Sequence, residues 1–149
     1  MMRLVFLICC CPMVFAADAA CPWMNDASAS GYLETAVHLA VVNQGDGGTC
    51  AFSGKRGGAS LDLKIEVTAL AEAKTPECGP DSTPLRGIGN EAAACGYDDK
   101  SGKVSEQVVG RVRKQAFLVR LTSSDASARR AELRETVRKA AEQVAGNLF

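Results

Sequence analysis

The amino-acid sequence predicts an α+β domain, a two-layer sandwich in which an N-terminal and a C-terminal helix cover one face of an antiparallel sheet of about five strands. Three observations indicate this fold: one clear period of two, one long amphipathic helical pattern, and short turns between consecutive β-like segments. Strands that follow one another through short turns pair antiparallel, and amphipathic helices bury their apolar stripes against such a sheet. The 149 residues suffice for one domain.

The first helix is expected in "CPWMNDASASGYLETAV", which begins at Cys21. Asn25 or Asp26 can cap its N-terminus, and Gly31 lowers its helix propensity, so we expect a short helix. Its inner face would consist of Leu33, Ala36 and Val37. The following "NQGDGG" at 43–48 is predicted to be a turn-rich loop.

The clearest strand is "LDLKIEVTAL", in which apolar and polar side chains alternate. The apolar set is Leu61, Leu63, Ile65 and Val67, and the polar set is Asp62, Lys64, Glu66 and Thr68. A period of two places one set in a core and the other in water. Further strands are predicted at "TCAFSG" (49–54), "NEAAACGYD" (90–98), "EQVVGRV" (106–112) and "QAFLVRL" (115–121). The last two form a hairpin that turns at Arg113 and Lys114.

A C-terminal helix is predicted in "SSDASARRAELRETVRKAAEQVAGNLF", with Ser124 or Asp125 as its cap. Apolar residues recur there at helical spacing and form one stripe: Leu133, Val137, Ala140, Ala141, Val144 and Leu148. Arginines and glutamates are interleaved off this stripe, which therefore faces the sheet.

The N-terminal "MMRLVFLICCCPMVFA" has the features of a signal peptide: an early arginine, a short apolar run, and Val14 and Ala16 at a cleavage site. Residues 1–16 are then the signal peptide and residues 17–149 a single domain, with "ADA" at 17–19 as an alternative cleavage site. The apolar run is shorter than the about 20 residues of a transmembrane helix, and no other stretch approaches that length. Cysteines in this run make a lipid anchor the alternative. We expect a secreted, periplasmic or cell-envelope protein without a transmembrane segment.

Three of the seven cysteines lie in the signal segment. The other four are Cys21, Cys50, Cys78 and Cys95. An even number of cysteines in a small exported chain predicts two disulfides, and three connectivities are open at this point. The spacing disfavours zinc, because no two of these cysteines form a C-x-x-C pair and His38 is the only histidine. We expect neither a metal nor a cofactor.

The formal charge balances, with 17 basic and 17 acidic side chains, which argues against a general nucleic-acid binder. The two halves of the chain differ, however. Residues 17–99 carry 12 acidic and 5 basic side chains, whereas residues 100–149 carry 5 acidic and 11 basic ones. Mutual attraction between two halves of one folded domain explains this asymmetry; the alternative is a basic surface for an anionic partner.

The stretch "PLRGIGNEAAACGYD" at 84–98 contains Gly87, Gly89 and Ala92 in the order G-x-G-x-x-A, a variant of the dinucleotide-binding fingerprint. That fingerprint binds a pyrophosphate only between a strand and the N-terminus of a helix. Here a loop precedes it and a β-like segment follows. We therefore interpret the glycines as residues that permit positive φ where a long loop re-enters the sheet.

The order of these segments resembles the domain-of-unknown-function family 3558, known mainly from exported lipoproteins of actinobacteria. The similar positions are Cys21 before the first helix, then Cys50, Phe52 and Ser53, then Gly87, Gly89, Asn90 and Ala92. The resemblance spans nearly all of residues 20–148, with Asn90 in place of the more usual Asp and with the Cys78 and Cys95 pair as an addition. It implies an exported α+β domain with a Cys21–Cys50 bridge, and it implies no activity.

We expect the disulfides to be Cys21–Cys50 and Cys78–Cys95. The helix after Cys21 must pack beside the strand of Cys50, while Cys78 lies in a proline-bearing loop that leads into the strand of Cys95. The second bridge closes a loop of about 17 residues, worth roughly 3 kcal/mol in the chain-entropy model. The alternative is Cys21–Cys95 with Cys50–Cys78.

The sequence assigns no catalytic residue. It contains neither a G-x-S-x-G nor an S-x-x-K motif. His38 lies among apolar residues in "AVHLAVV", and Asp98 and Asp99 fit a turn. Trp23 fits packing under the first helix; the alternative is that Trp23 and Tyr32 line a pocket.

The outer face of the sheet is the candidate interaction face. Lys64 comes from the alternating strand, Arg111 and Arg120 from the strands of the last hairpin, and Arg113 and Lys114 from its turn. A solvated charged face explains these residues, and the alternative is a docking face for a polyanion or an acidic protein. We expect an exported non-catalytic binding or interaction module whose partner is an unknown protein or cell-envelope component. The alternative is a small extracytoplasmic enzyme or enzyme inhibitor whose site is built from loops.

Overall fold

The computed structural model describes residues 19–69 and 78–149, so the predicted signal peptide and lipid anchor lie outside the described residues. Within these residues, two helices and seven strands follow one another. They are α1 (Asp26–Leu33), β1 (His38–Gln44), β2 (Gly47–Arg56), β3 (Ala59–Ala69), β4 (Thr83–Leu85), β5 (Glu91–Tyr97), β6 (Val104–Val112), β7 (Gln115–Ser123) and α2 (Arg130–Asn147).

The strands form one open antiparallel sheet in the order β1-β2-β3-β7-β6-β5-β4. This confirms the predicted α+β class and antiparallel pairing, but the expected number of about five strands is wrong. The two additional strands are the edges of the sheet. β1 carries apolar residues on both faces and so lacks a clear alternation, while β4 has only three residues, one of them Pro84.

One face of the sheet, which we call the helix-side face, forms the core. The register places Leu63, Val108 and Val119 on this face, and all three are fully buried. The residues of α2 that complete the core are Leu133, Val137, Ala140, Ala141, Val144 and Ala145. Five of these residues belong to the predicted helical stripe, and its sixth member, Leu148, follows the helix and is partly buried against the core. The opposite, outer face carries Lys64 and Arg120, which are register partners on β3 and β7.

Helix α1 is short, as its glycine predicted, and its cap is Asn25, whose Oδ1 accepts a hydrogen bond from the Ser28 backbone N–H at 2.8 Å. The helix ends at Leu33 because the next residue, Glu34, adopts a left-handed conformation with φ of 54°. Ala29 and Leu33 are its buried residues. The expected inner face is therefore correct at Leu33 only, since Ala36 and Val37 follow the helix.

Helix α2 begins later than the sequence predicted. Its N-cap is Arg129, which makes no side-chain capping hydrogen bond. Asp125, one of the expected caps, instead accepts hydrogen bonds from the backbone N–H and hydroxyl of Ser127 at 2.8 and 2.7 Å. These bonds lower the pKa of Asp125 below its ordinary value. A local turn thus uses the carboxylate that would otherwise cap a helix.

Both predicted disulfides are present, and they lie on opposite faces of the sheet. Cys21 and Cys50 are bonded with their Cα atoms 5.8 Å apart, and Cys78 and Cys95 with theirs 5.7 Å apart. Cys50 pairs in register with Ile65 on the helix-side face, so its bridge fixes the segment before α1 to the core. Cys95 pairs with Gln107 on the outer face, so its bridge fixes Cys78 there.

The "GIGN" stretch holds the β6–β7 hairpin. Gly87 and Gly89 have φ values of 80° and 62°, and a Cβ at Gly89 would lie 2.5 Å from the carbonyl oxygen of Arg111. Asn90 donates its backbone N–H to that oxygen at 2.8 Å. Its Oδ1 accepts the backbone N–H of Arg113 at 2.6 Å, at the hairpin turn. The positive φ values confirm the structural interpretation of the motif, and Gly89 in addition permits a close approach of two backbones.

Replacing Val137 by Asp tests the packing of α2 on the sheet. Val137 is fully buried in the middle of the helix, so the change buries a carboxylate without a partner at a cost of several kcal/mol. We expect failure to fold or a large fall in the melting temperature measured by circular dichroism. Ala131→Asp, on the exposed side of the first turn, is the control. If both variants melt within a few degrees of the wild type, α2 does not dock on the sheet.

Candidate interaction face

The outer face of the sheet brings together two of the five predicted interaction residues. Lys64 and Arg120 lie directly opposite each other on β3 and β7, and the same register row continues to Gln107 on β6 and Cys95 on β5. Side chains directly opposite on neighbouring strands stand about 5 Å apart at Cβ, so these two side chains leave the sheet next to each other. Sequence alone gave the strands of these residues but not this register.

Arg120 is held in place by its contacts. Its guanidinium lies 3.4 Å from the centre of the Tyr97 ring. Its Nε and Nη2 donate to Oε1 of Gln107 at 3.0 and 2.8 Å. Gln107 is buried, and its Nε2 donates to Sγ of Cys95 at 3.4 Å. Stacking on an aromatic ring and a forked hydrogen bond together fix the orientation of this guanidinium.

Lys64 and Arg111 have acidic neighbours instead. Nζ of Lys64 lies 2.9 Å from Glu66, and Nε of Arg111 lies 3.2 Å from Glu91. All four side chains are at least two-fifths exposed. Ion pairs of this kind contribute little to stability, since water screens them. They leave an outer face of mixed charge.

Arg113 and Lys114 do not join Lys64 and Arg120. Both are exposed at the β6–β7 turn, where Arg113 has a φ of 54°. The Arg113 guanidinium lies 5.8 Å from the ring of Phe149, which follows α2. The predicted face is therefore divided between the outer face and the hairpin end.

Glu106 is the most buried charged group among the described residues, and it is not one of the predicted site residues. It is fully buried on the helix-side face of β6, where Oε1 accepts from Arg130 at 3.0 Å and Oε2 from Arg134 at 2.8 Å. Both arginines belong to α2 and are about half exposed. The alternation of "EQVVGRV" places Glu106 in phase with Val108 and Val112, and that phase was the available signal.

The buried carboxylate serves structure rather than reactivity. Each carboxylate oxygen of Glu106 accepts a hydrogen bond from a different guanidinium group. The negative charge is therefore compensated, and neither oxygen is left without a partner. Gly96 on β5 makes room for this cluster, because a Cβ there would lie 3.1 Å from Nη1 of Arg130. The cluster therefore fixes the position of the first turns of α2 over β5 and β6.

The described residues with shifted pKa values lie on the exposed surface. Hydrogen bonds from Arg138 lower the pKa of Glu135, and hydrogen bonds from Ser101 lower that of Asp99 in its turn. Such carboxylates stabilise the fold above the ordinary carboxyl pKa range, and their contribution is lost as the pH falls through the lowered pKa. These shifts report turns and helix-surface ion pairs.

The other residues singled out in the sequence, which include His38, Tyr32 and Trp23, lie apart from one another. His38 is exposed at the start of β1 and shares the outer face with its register partner Ser53. Tyr32 lies on α1, on the other side of the sheet, and donates its hydroxyl to Oε1 of Gln143 at 3.0 Å. Trp23 is buried in the core, and its carbonyl oxygen accepts from Nδ2 of Asn147 at 2.9 Å. Asp98 and Asp99 accept hydrogen bonds from the backbone of their own turn.

The open grooves in the described part of the chain include one between the helices, one beside β1 and one between α2 and β4. A groove of about 740 Å³ lies between α1 and α2 and includes Tyr32, Glu34 and Glu132. A groove of about 660 Å³ runs beside β1 and includes Cys21, Ala27, Leu39 and Val41. A groove of about 510 Å³ between α2 and β4 is lined by arginines 130, 134 and 138.

The described residues contain no cluster of three or more His, Cys, Asp or Glu placed to hold a metal.

Replacing Glu106 by Ala tests the role of the buried carboxylate. The change removes two ion pairs and leaves a cavity, so we expect the free energy of unfolding in urea to fall by about 3 kcal/mol. Glu135→Ala removes an exposed carboxylate that contacts Arg138 on the same helix, and its urea midpoint should stay close to that of the wild type. Equal midpoints for the two variants would contradict a structural role for Glu106.

Comparison with known proteins gives no relative: no family model, no curated protein and no solved structure matches the chain. Within residues 19–69 and 78–149, neither helix is long and apolar enough to cross a membrane. The resemblance to family 3558 stays a prediction that rests on the residues quoted for it.

Proposed function

We propose that this protein is an exported interaction module that binds an acidic group of a partner through Lys64 and Arg120 on the outer face of its sheet. Export is supported by the signal-like N-terminus and by two disulfides, which persist in oxidising compartments. The partner is a protein or a cell-envelope component. The resemblance to family 3558 fits this proposal and adds an exported setting, but no activity.

The register of Lys64 opposite Arg120 is the observation that carries the proposal. Like charges directly opposite each other in a sheet destabilise it, and an acidic residue at either position would be the more stable choice. Neighbours offset part of this cost, since Glu66 contacts Lys64 and Tyr97 stacks on Arg120. A locally unfavourable pair in an otherwise consistent sheet is typical of a binding site.

The ligand group that we propose is a carboxylate or phosphate that contacts Arg120 and, once Lys64 turns from Glu66, both cations. Arg120 is held before a ligand arrives, because Tyr97 and Gln107 fix its guanidinium, so little side-chain entropy is lost on binding. Lys64 is more than two-fifths exposed, so its ammonium group can leave Glu66 and form an ion pair with the ligand instead. Binding of this kind weakens as salt is added.

The groove between α1 and α2 favours the second candidate, an extracytoplasmic enzyme or enzyme inhibitor. Its lining combines Tyr32 with the carboxylates of Glu34, Asp125 and Glu132. However, Arg56 lies 2.7 Å from Glu34, and local hydrogen bonds engage Asp125. His38 is not part of this groove. These contacts make the groove the weaker candidate.

Binding of fluorescent poly-L-glutamate to the oxidised protein at low salt tests the proposed face. Replacing Lys64 and Arg120 together by Gln should weaken binding by about tenfold or more and reduce its salt dependence. The matched control replaces Arg129 and Lys139 by Gln, which removes the same charge from the helix side. The control should bind within about twofold of the wild type.

Two results would contradict the proposal. Equal weakening by both double variants would show that net charge, rather than the outer face, attracts the polyanion. Wild-type protein that does not bind poly-L-glutamate even at low salt would show that Lys64 and Arg120 do not form an acidic-group site.

A further inference from the structure

The edge strand β1 lacks the features that protect sheet edges. Its sequence, "HLAVVNQ", contains no Lys, Arg, Asp, Glu or Pro, and within residues 19–69 and 78–149 it pairs with β2 alone. Natural edge strands are shortened, charged, bulged or interrupted by proline, because an open edge pairs with other chains. The opposite edge follows that rule, since β4 has three residues and contains Pro84. The contrast singles out β1.

The hairpin register shows which backbone groups of β1 point to the open edge. Gln44 pairs with Gly47 across a two-residue turn, so this closing pair is hydrogen-bonded. Hydrogen-bonded and non-hydrogen-bonded pairs alternate along an antiparallel ladder. Ala40 and Val42 therefore bond to β2, whereas Leu39, Val41 and Asn43 direct their N–H and C=O groups away from it.

The side chains beside this edge are also placed to meet a strand. Leu39 and Val41 belong to the helix-side face and are only partly buried. They line the apolar groove of about 660 Å³, together with Cys21 and Ala27. On the outer face, Val42 is 57% exposed, one of two large apolar side chains with such exposure among the described residues. A strand added to β1 would cover the groove and Val42.

We propose that β1 pairs antiparallel with β1 of a second copy of this chain, about a two-fold axis at Ala40, to join two sheets into one. In this register Leu39 of each copy lies opposite Val41 of the other. Leu39 and Val41 are also residues whose backbone groups point to the open edge, so these two pairs can form hydrogen bonds. Ala40 faces its own counterpart, and His38 covers Val42. A two-fold axis requires such self-complementarity. Shifting the axis to Val41 keeps the backbone pairing but sets Asn43 beside Leu39, which places an amide against the apolar groove.

The partner is assigned as a second copy because β1 itself has the sequence that its own edge and groove accept. Apolar side chains at positions 39 and 41 fit the groove, and small Ala40 permits close approach at the axis. This inference does not depend on the acidic-group site, which lies on β3 and β7.

Sedimentation equilibrium of the oxidised wild-type protein should show a dimer whose population rises with concentration. Ala40 is exposed, so Ala40→Lys and Ala40→Glu leave the monomer folded but place like charges together at the axis. Each variant alone should dimerise about tenfold more weakly. An equimolar mixture should regain the dimer as a heterodimer, which a merely destabilised fold would not do.

Ala51→Glu is the matched control, because Ala51 is the register partner of Ala40 on β2 and lies one strand away from the edge. It should dimerise like the wild type. A wild-type protein that remains monomeric at several hundred micromolar would overturn the proposal. So would a dimer that both Ala40 variants leave unchanged, or variants that fail to recombine on mixing.

Discussion

Burial of the helix-side face of the sheet beneath α2 is the interaction on which the other features of the structure depend. Phe117, Val119 and Val137 meet there without exposure to water. Burial of apolar surface contributes about 25 cal/mol per Å² and is the main favourable term for a domain of this size. Glu106, a fully buried charge on this face, is compatible with it because Arg130 and Arg134 pair with the carboxylate. Hydrophobic contact therefore holds the helix, and the ion cluster sets its position along β6.

The described helices occupy one side of the sheet, and both contacts that we propose lie elsewhere, on the outer face and at the β1 edge. The two disulfides lie on opposite faces of the sheet. One fixes the segment before α1 to the core, and the other fixes Cys78 to the outer face. The fixed guanidinium of Arg120 and the open edge of β1 are distinct surfaces. An acidic partner and a second copy of the chain could bind together, because neither surface includes the residues of the other.

Much of the fold could be predicted from local sequence, because β3 alternates with a period of two and α2 has a continuous stripe. The edge strands could not, since β1 has apolar residues on both faces and β4 is too short for a period. The start of α2 was misplaced because Asp125 resembles a cap but bonds to Ser127. The candidate site was predicted as a set of cations on the outer face and at the last hairpin turn, without their register. Register decides which of them meet, and register depends on contacts between distant segments of the chain.

Residue-resolved native-state hydrogen exchange tests most directly whether α2 and the sheet form one cooperative unit. The account predicts that the core amides of β3, β6, β7 and α2 are the slowest to exchange and share one opening free energy, equal to that of global unfolding. Exchange of the α2 amides at a much lower opening free energy than the sheet would contradict it. That result would mean that the sheet is stable without the helix and that the burial of its face is not what holds the domain together.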